Sequence, residues 1–288
     1  MEPSNSSPNF HVLIVGGDST AQVDPNRAPR KDDFFPIFNA QTGDLLKQMP
    51  TPNVFRLNRS KFRALIAEGV DIQYSKRLRT VTHLDATANG KNLVTVIFED
   101  GTEVTGDLLI GADGSRSRVR EYLLGPRQAA VQLLPLVGCL AIITTFPADL
   151  ASAWGSWVQK LTEPFRSAYG SVPVDAPIWF ERLAHWQTMA WDNRSGTVTL
   201  AGDAAYPMDF HCGQGLSNAI HDAAYLCRAL AKHVEDEKLL PEAVAAYENE
   251  VVRRGRKAVE ESAMNSLMVH EWEKMRESMP FRNGMKQT

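Results

Sequence analysis

Three short stretches of the sequence carry residues able to hold a ligand. In each, an apolar run ends in glycine and an acidic residue follows. His11 to Val15 leads into Gly16-Gly17-Asp18-Ser19-Thr20-Ala21. Leu108 to Ile110 leads into Gly111-Ala112-Asp113-Gly114, with Arg116, Arg118 and Arg120 directly behind. Thr197 to Leu200 leads into Gly202-Asp203-Ala204-Ala205-Tyr206-Pro207-Met208, and Gly213-Gln214-Gly215-Leu216-Ser217-Asn218 then opens a helix-patterned run. A carboxylate at a strand end suits the hydroxyls of a polyol, and guanidinium groups suit phosphate. The free N–H groups of a helix start stabilise a developing anion. Each stretch also has a plainer reading: a strand-to-loop turn, a solvated basic helix start, and a capped helix after a loop. The third is the longest and most patterned, and it leans furthest towards chemistry.

Read as a dinucleotide fingerprint, the first stretch needs glycine at its first, third and sixth places. Those places hold Gly16, Asp18 and Ala21. Asp18 puts a side chain and a negative charge where a pyrophosphate would lie. Val23-Asp24-Pro25 then arrives where a helix should run, and proline stops such a helix. An acidic residue about 20 positions on, for a ribose, is also missing.

The elements that must position these stretches follow from the local patterns. Residues 1–9 are expected to be disordered, and 21–36, with Pro25, Pro29 and Pro36, irregular. A turn is expected over Asn39 to Gly43, with Leu45-Leu46 extended after it. Asn58 can cap a helix over 59–68 that Gly69 ends. Val81–Leu84, Leu93–Phe98 and Thr102–Thr105 read as strands, with Asp100-Gly101 as a hairpin turn. Residues 131–150 are strand-like, and 153–170 helical through Trp154, Trp157, Val158 and Leu161. A helix over 216–233 is expected to bury Ile220, Ala223, Cys227 and Leu230. Pro241 opens a further helix, and the charged run Glu248 to Arg276 reads as a solvated helical face. His185, Trp186 and Trp191 read as core, and Asp222 as a local cap or pair.

Composition bounds the functional classes. The 288 residues allow one large domain or two ordinary ones. Hydrophobic residues at 43% and charged residues at 23% are ordinary for a soluble globular chain. A net charge of −3 argues against nucleic-acid or anionic-membrane partners. Cys139, Cys212 and Cys227 form no CxxC pair, so no metal site is expected, and their small number suits a reducing compartment. The N-terminus lacks signal-peptide character. Leu133 to Phe146 is too short to span a bilayer. A cytoplasmic protein is expected.

The second and third stretches, GADGSRSRVR and GDAAYPMDFHCGQGLSNAIHDA, resemble the flavin monooxygenases of the p-hydroxybenzoate hydroxylase type, and more closely the fungal branch of secondary metabolism. Phe55 to Gly69 looks like that family's arginine-bearing helix. The resemblance implies an α/β fold: a Rossmann-like FAD-binding sheet, an inserted and reduced β-rich substrate domain, and C-terminal helices. It divides the chain into 10–130 and 195–240 for FAD, 131–194 for substrate, and 241–288 for the terminal helices. It implies FAD as cofactor, with Asp203 on the ribityl chain and Gly213, Gly215, Leu216 and Ser217 offering N–H groups to the pyrimidine edge. Asp113 would lie near the pyrophosphate, Arg59 would contact the cofactor, and Gly16 would begin the dinucleotide turn. NAD(P)H would reduce the flavin, and one atom of O2 would pass to a small organic substrate, hydroxylating or epoxidising it.

The chain departs from the pattern after Thr20, where the crossover helix and second strand are missing, and again near Leu150–Trp154. Tyr206 stands where the family commonly has histidine, Phe210 where many members have proline, Cys212 where some have arginine, and Ser217 where asparagine is usual. A charge-assisted hydrogen bond to phosphate contributes about 1.5–3 kcal/mol. Without those that the crossover segment would make, weakened or absent FAD binding is expected. The alternative reading is a truncated, catalytically impaired paralogue acting at most as a binding protein. The sequence alone leaves the oligomeric state open.

Overall fold

A computed structural model describes residues 12–16, 34–38, 42–50, 59–84, 91–139, 144–147, 158–163, 165–170, 180–210, 213–235, 239–268 and 271–277. In chain order the elements are β1 (Val12–Gly16), β2 (Phe34–Phe38), β3 (Leu45–Pro50), α1 (Arg59–Ile66), β4 (Leu78–Leu84), β5 (Leu93–Phe98), β6 (Glu103–Gly106) and β7 (Leu108–Ala112). Then come α2 (Arg118–Ala129), β8 (Gln132–Cys139), β9 (Thr144–Pro147), α3 (Phe165–Gly170), β10 (Phe180–His185) and β11 (Val198–Leu200). A 3-10 turn (Gly202–Ala204) precedes α4 (Gly215–Glu235), α5 (Leu240–Met268) and α6 (Trp272–Glu277). The chain forms two compact units. The first takes 1–20, 63–131 and 185–260, and the second takes 21–62, 132–184 and 261–288.

The first unit holds a parallel sheet in the order β1-β7-β11. Ile14 pairs with Ile110, Gly16 with Ala112, and Val198 with Leu109. Both faces of β7 and β11 are covered: Leu108, Leu109, Val198 and Leu200 are fully buried, and so is Thr199 between the last two. Gly111 sets how closely α2 approaches: a Cβ there would lie 2.6 Å from Val119 Cβ and 2.9 Å from a Leu200 methyl. A separate antiparallel sheet, β4-β5-β6, turns at Asp100-Gly101 as the dipeptide predicts. Gly101 takes a φ of +83°, and Asp100 Oδ1 accepts from Thr102 N at 2.9 Å. Val81, Val94 and Val96 bury one side of that sheet in the same core as Leu123, Tyr206, Val244, Tyr247 and Val251.

One cation sits inside this core. Arg120, on the first turn of α2, is 1% exposed. Its Nε donates to Ala129 O at 3.1 Å, and its Nη1 to Ala204 O at 2.8 Å and Asp203 O at 3.4 Å. Nη2 donates to Ser115 O, and the guanidinium lies 4.9 Å from the Trp186 ring centroid. Burial pushes the guanidinium down to about 10, so it stays charged at neutral pH.

The second unit is described through two further sheets. β2 and β3 pair antiparallel, and β10-β8-β9 forms a three-stranded sheet. Leu134, Leu136 and Leu183 make its small core, with Ala263 against them. Val158 and Leu161 are also buried.

Several elements differ from expectation. Phe34 to Pro36 belong to a strand rather than irregular chain. Proline is tolerated there because a two-stranded ribbon leaves each strand a free edge where no N–H is required. The helix expected over 153–170 appears, among the described residues, only as Phe165–Gly170, after a turn at Val158 to Lys160. On α4 the buried line is Asp222 and Leu226, while Ile220 is 53% exposed and Cys227 is exposed. The run Glu248 to Arg276 is not uniformly solvated, since Glu248, Val251, Val259, Ser262 and Ser266 are buried. The expectations for residues 1–9, for Asn58, for Trp154 and Trp157, and for both missing internal segments fall outside the described residues.

The buried charges can be tested by stability measurements. Arg120→Met leaves four carbonyl groups without their donor, and should lower unfolding stability by roughly 3 kcal/mol or more in a urea titration. A drop below about 1 kcal/mol would mean the cation is not needed. Glu248 Oε1 accepts from Trp191 Nε1 at 2.9 Å, and Oε2 from Asn193 Nδ2 at 2.8 Å. Burial outweighs these bonds and pushes the carboxyl from 4.5 up to about 7. Between those two values the folded state holds a proton that the unfolded chain has released, so stability falls as pH rises through the window. The stability of the unmodified protein relative to Glu248→Gln should therefore drop by roughly 3 kcal/mol between pH 4.5 and 7. A pH-independent difference would contradict this.

Candidate functional site

All three glycine-acid stretches begin in the first unit. Because β1, β7 and β11 run parallel, their carboxyl ends emerge at one edge of the sheet. Gly16 ends β1, Asp113 follows β7, and Gly202-Asp203 follows β11. Open parallel sheets bind their ligands along this edge.

Asp113 is engaged with its own helix. Oδ1 accepts from Ser117 Oγ at 2.5 Å, and Oδ2 from Arg118 N at 2.7 Å and Val119 N at 3.3 Å. Ser117 caps α2 in turn, accepting from Arg120 N at 2.9 Å. The carboxylate thus closes the strand-to-helix turn at Gly114, whose φ is +81°. Arg116 and Arg118 are exposed, and Arg120 is the buried cation already described.

Asp203 lies in the 3-10 turn that follows β11. Gly202 enters that turn with a φ of +57°, and Arg120 holds the carbonyls of Asp203 and Ala204. The Asp203 side chain reaches solvent, yet partial burial pushes its carboxyl above the ordinary range. A methyl group on Gly215 would stand 4.0 Å from Asp203 Oδ1, so the carboxylate faces the start of α4. Gly213, with a φ of +62°, turns the chain into that helix. Asn218 N donates to Gln214 O at 3.0 Å, the first such helix bond among the described residues. The N–H groups of Gly215, Leu216 and Ser217 precede it and belong to the part of a helix without internal partners. A carboxylate and a row of donors therefore stand side by side, suited to hydroxyls and to a heterocycle edge rich in acceptors.

Sequence reasoning missed what lies behind this turn. Asp222, 1% exposed, is not a local cap. Its Oδ2 accepts from Gly202 N at 2.7 Å and from Tyr206 Oη, and its Oδ1 from Arg254 Nη2. The acidic residue was visible in the sequence, but its partners stand 16 to 32 positions away. Arg59 begins α1, and its side chain lies outside the described residues, as do Asp18, Ala21, His211 and Cys212. A surface pocket of about 360 Å3 on α5, lined among others by Trp191, Glu248, Asn249 and Arg256, includes none of the carboxyl-edge residues.

Comparison with known proteins identifies the family and the fold. The family described as FAD binding domain matches residues 154–262. The FAD-dependent monooxygenase cctM of Talaromyces islandicus is 38% identical, over 95% of this chain and 82% of its own. The FAD-dependent monooxygenase phnB of Penicillium herquei is 32% identical, over 87% and 75% respectively. The alignment with cctM spans 332 positions, more than the 288 residues of this chain, so the relative carries internal stretches that are absent here. Among solved structures, HpxO of Klebsiella pneumoniae, in complex with FAD and uric acid, matches with a TM-score of 0.67 at 18% identity, covering 90% of this chain and 80% of that one. The Pseudomonas aeruginosa protein pqsL, a probable FAD-dependent monooxygenase, matches at 0.67 and 17%, covering 92% and 91%. These structures share the fold, and the sequence relatives share the family: the chain belongs to the FAD-dependent monooxygenases of the p-hydroxybenzoate hydroxylase type.

Proposed function

We propose that this chain binds FAD along the carboxyl edge of its parallel sheet and oxygenates a small organic substrate, with NAD(P)H as reductant. The observation that carries this reading is the pairing of Asp203 with the first turn of α4. Asp203 would accept from ribityl hydroxyls, and the N–H groups of Gly215, Leu216 and Ser217 would meet the pyrimidine edge, with Gly213 admitting the close approach. The absence of a side chain on Gly215 supports the fit, because it leaves the space beside Asp203 Oδ1 open. Gly16 and Asp113 would border the cofactor at the neighbouring strand ends, Asp113 by holding the Gly114 turn through its bonds to α2. Arg59 is a contact implied by family likeness alone.

Bound FAD supplies electron transfer from the nicotinamide and the activation of O2. The protein's own part is to bind, orient and polarise. The helix start carries a partial positive charge that stabilises negative charge on the isoalloxazine edge. The first unit serves the cofactor in this reading, and the β8–β10 sheet of the second unit belongs to the part that receives substrate. HpxO holds uric acid in its complex, which suits a small ring substrate here. A cytoplasmic setting is part of the same reading, resting on cysteine usage and composition; among the described residues no helix is long and apolar enough to cross a membrane.

Purified protein titrated with FAD should develop bound-flavin absorbance near about 375 and 450 nm and oxidise NAD(P)H on addition of the right substrate. Asp203→Ala should weaken FAD about tenfold to a hundredfold, the equivalent of one charge-assisted hydrogen bond, without unfolding the protein. If the unmodified protein takes up no flavin at saturating FAD, the proposal fails.

A further inference from the structure

The buried cluster behind the candidate cofactor site ties together both of the segments on which that site depends. Asp222 Oδ2 accepts from Gly202 N at 2.7 Å, immediately before Asp203. Arg254, on α5, donates through Nη2 to Asp222 and through Nη1 to Asn218 Oδ1 at 2.6 Å. Asn218 passes the connection on, its Nδ2 donating to Gln214 O at 3.0 Å, one residue before α4 begins. Glu250 steadies the same guanidinium from one turn earlier on α5, accepting from Arg254 Nε at 2.9 Å.

Tyr206 completes the cluster. Its ring is fully buried, and its hydroxyl donates to Asp222 Oδ2. A Cβ at Gly255 would lie 2.7 Å from Tyr206 Cδ1, so only glycine lets the ring lie against α5. A glycine inside a helix is destabilising relative to alanine, and the ring accounts for its presence in the middle of α5. Arg254 also stands 5.4 Å from the centroid of the same ring. Histidine, which the family pattern commonly carries at this place, would not fill the same volume.

We infer that Asp222 and Arg254 are positioning residues for the flavin: they fix the Gly202-Asp203 turn and the start of α4 at one spacing, so that Asp203 and the helix N–H groups engage FAD together. This rests on the assignment of FAD to that edge. The two residues touch neither cofactor nor substrate and act through Asp203 and the α4 backbone. Tyr206 and Gly255 make up the packing that holds the carboxylate in place.

The test is FAD titration of apoprotein, followed by flavin fluorescence and by visible circular dichroism of the bound flavin. Asp222→Asn and Arg254→Met should each weaken FAD about tenfold to a hundredfold and alter the flavin dichroism. Combining Asp222→Asn with Asp203→Ala should weaken FAD by less than the product of the two single effects, because part of the first acts through the second. Tyr206→Phe keeps the Gly202 and Arg254 bonds and should cost only several-fold; it carries the test if Asp222→Asn does not fold. Gly255→Ala, which displaces the ring from a distance, should reproduce the Tyr206→Phe effect. Unchanged affinity and dichroism in the Asp222 and Arg254 variants would overturn the inference, as would effects that multiply in the double variant. Failure of the unmodified protein to bind FAD would instead overturn the cofactor site itself, and this inference with it.

Discussion

Arg120 imposes the constraint on which much of the first unit depends. A guanidinium at 1% exposure has given up its hydration, and that is tolerable only if hydrogen bonds replace the water. The replacements come from four backbone carbonyls: Ser115 beside the Asp113-Gly114 turn, Ala129 at the end of α2, and Asp203 and Ala204 in the turn after β11. Ser115 and Ala129 lie 5 and 9 positions from Arg120, Asp203 and Ala204 lie 83 and 84 positions away, and they meet because one cation needs all of them. The polar ends of two parallel strands are thereby held in register with each other, and the indole of Trp186 covers the open face of the cation.

Two buried carboxylates follow the same logic. Asp222 offers two oxygens and receives donors from a backbone turn, a tyrosine and an arginine. Glu248 offers two and receives an indole and an amide. Around these groups the packing is close. Gly111 and Gly255 occur where a single methyl would collide with Val119 or with Tyr206. Polar satisfaction determines which segments come together, and small residues determine how closely. The functional edge inherits its shape from both.

Much of the site was legible because its signals are local. An apolar run ending in Gly-Asp describes a buried strand delivering a carboxylate, whatever surrounds it. Gly213 and Gly215 before a patterned helix likewise mark a helix start open to a ligand. The phase of α4 was not legible. Its apolar residues form an arc from Leu226 through Ala223 and Cys227 to Ile220, and the structure buries only the Leu226 edge of it. The outcome turns on Asp222, which pattern reading takes as a local cap or pair and which is buried because it accepts from Gly202, Tyr206 and Arg254. The same reasoning misplaced Glu248 and left Arg120 between a phosphate-holding cation and a solvated basic turn.

The sequence by itself determined the family, the buried strands that end at Ala112 and Leu200, and the Asp100-Gly101 hairpin, since each depends on neighbours only a few positions away. Tertiary structure alone decided which charges are buried and what they hold. Arg120 to Ala204 and Asp222 to Arg254 span 84 and 32 positions. Nothing local distinguishes a charged side chain bound for solvent from one whose hydrogen-bonding partners arrive from elsewhere in the chain.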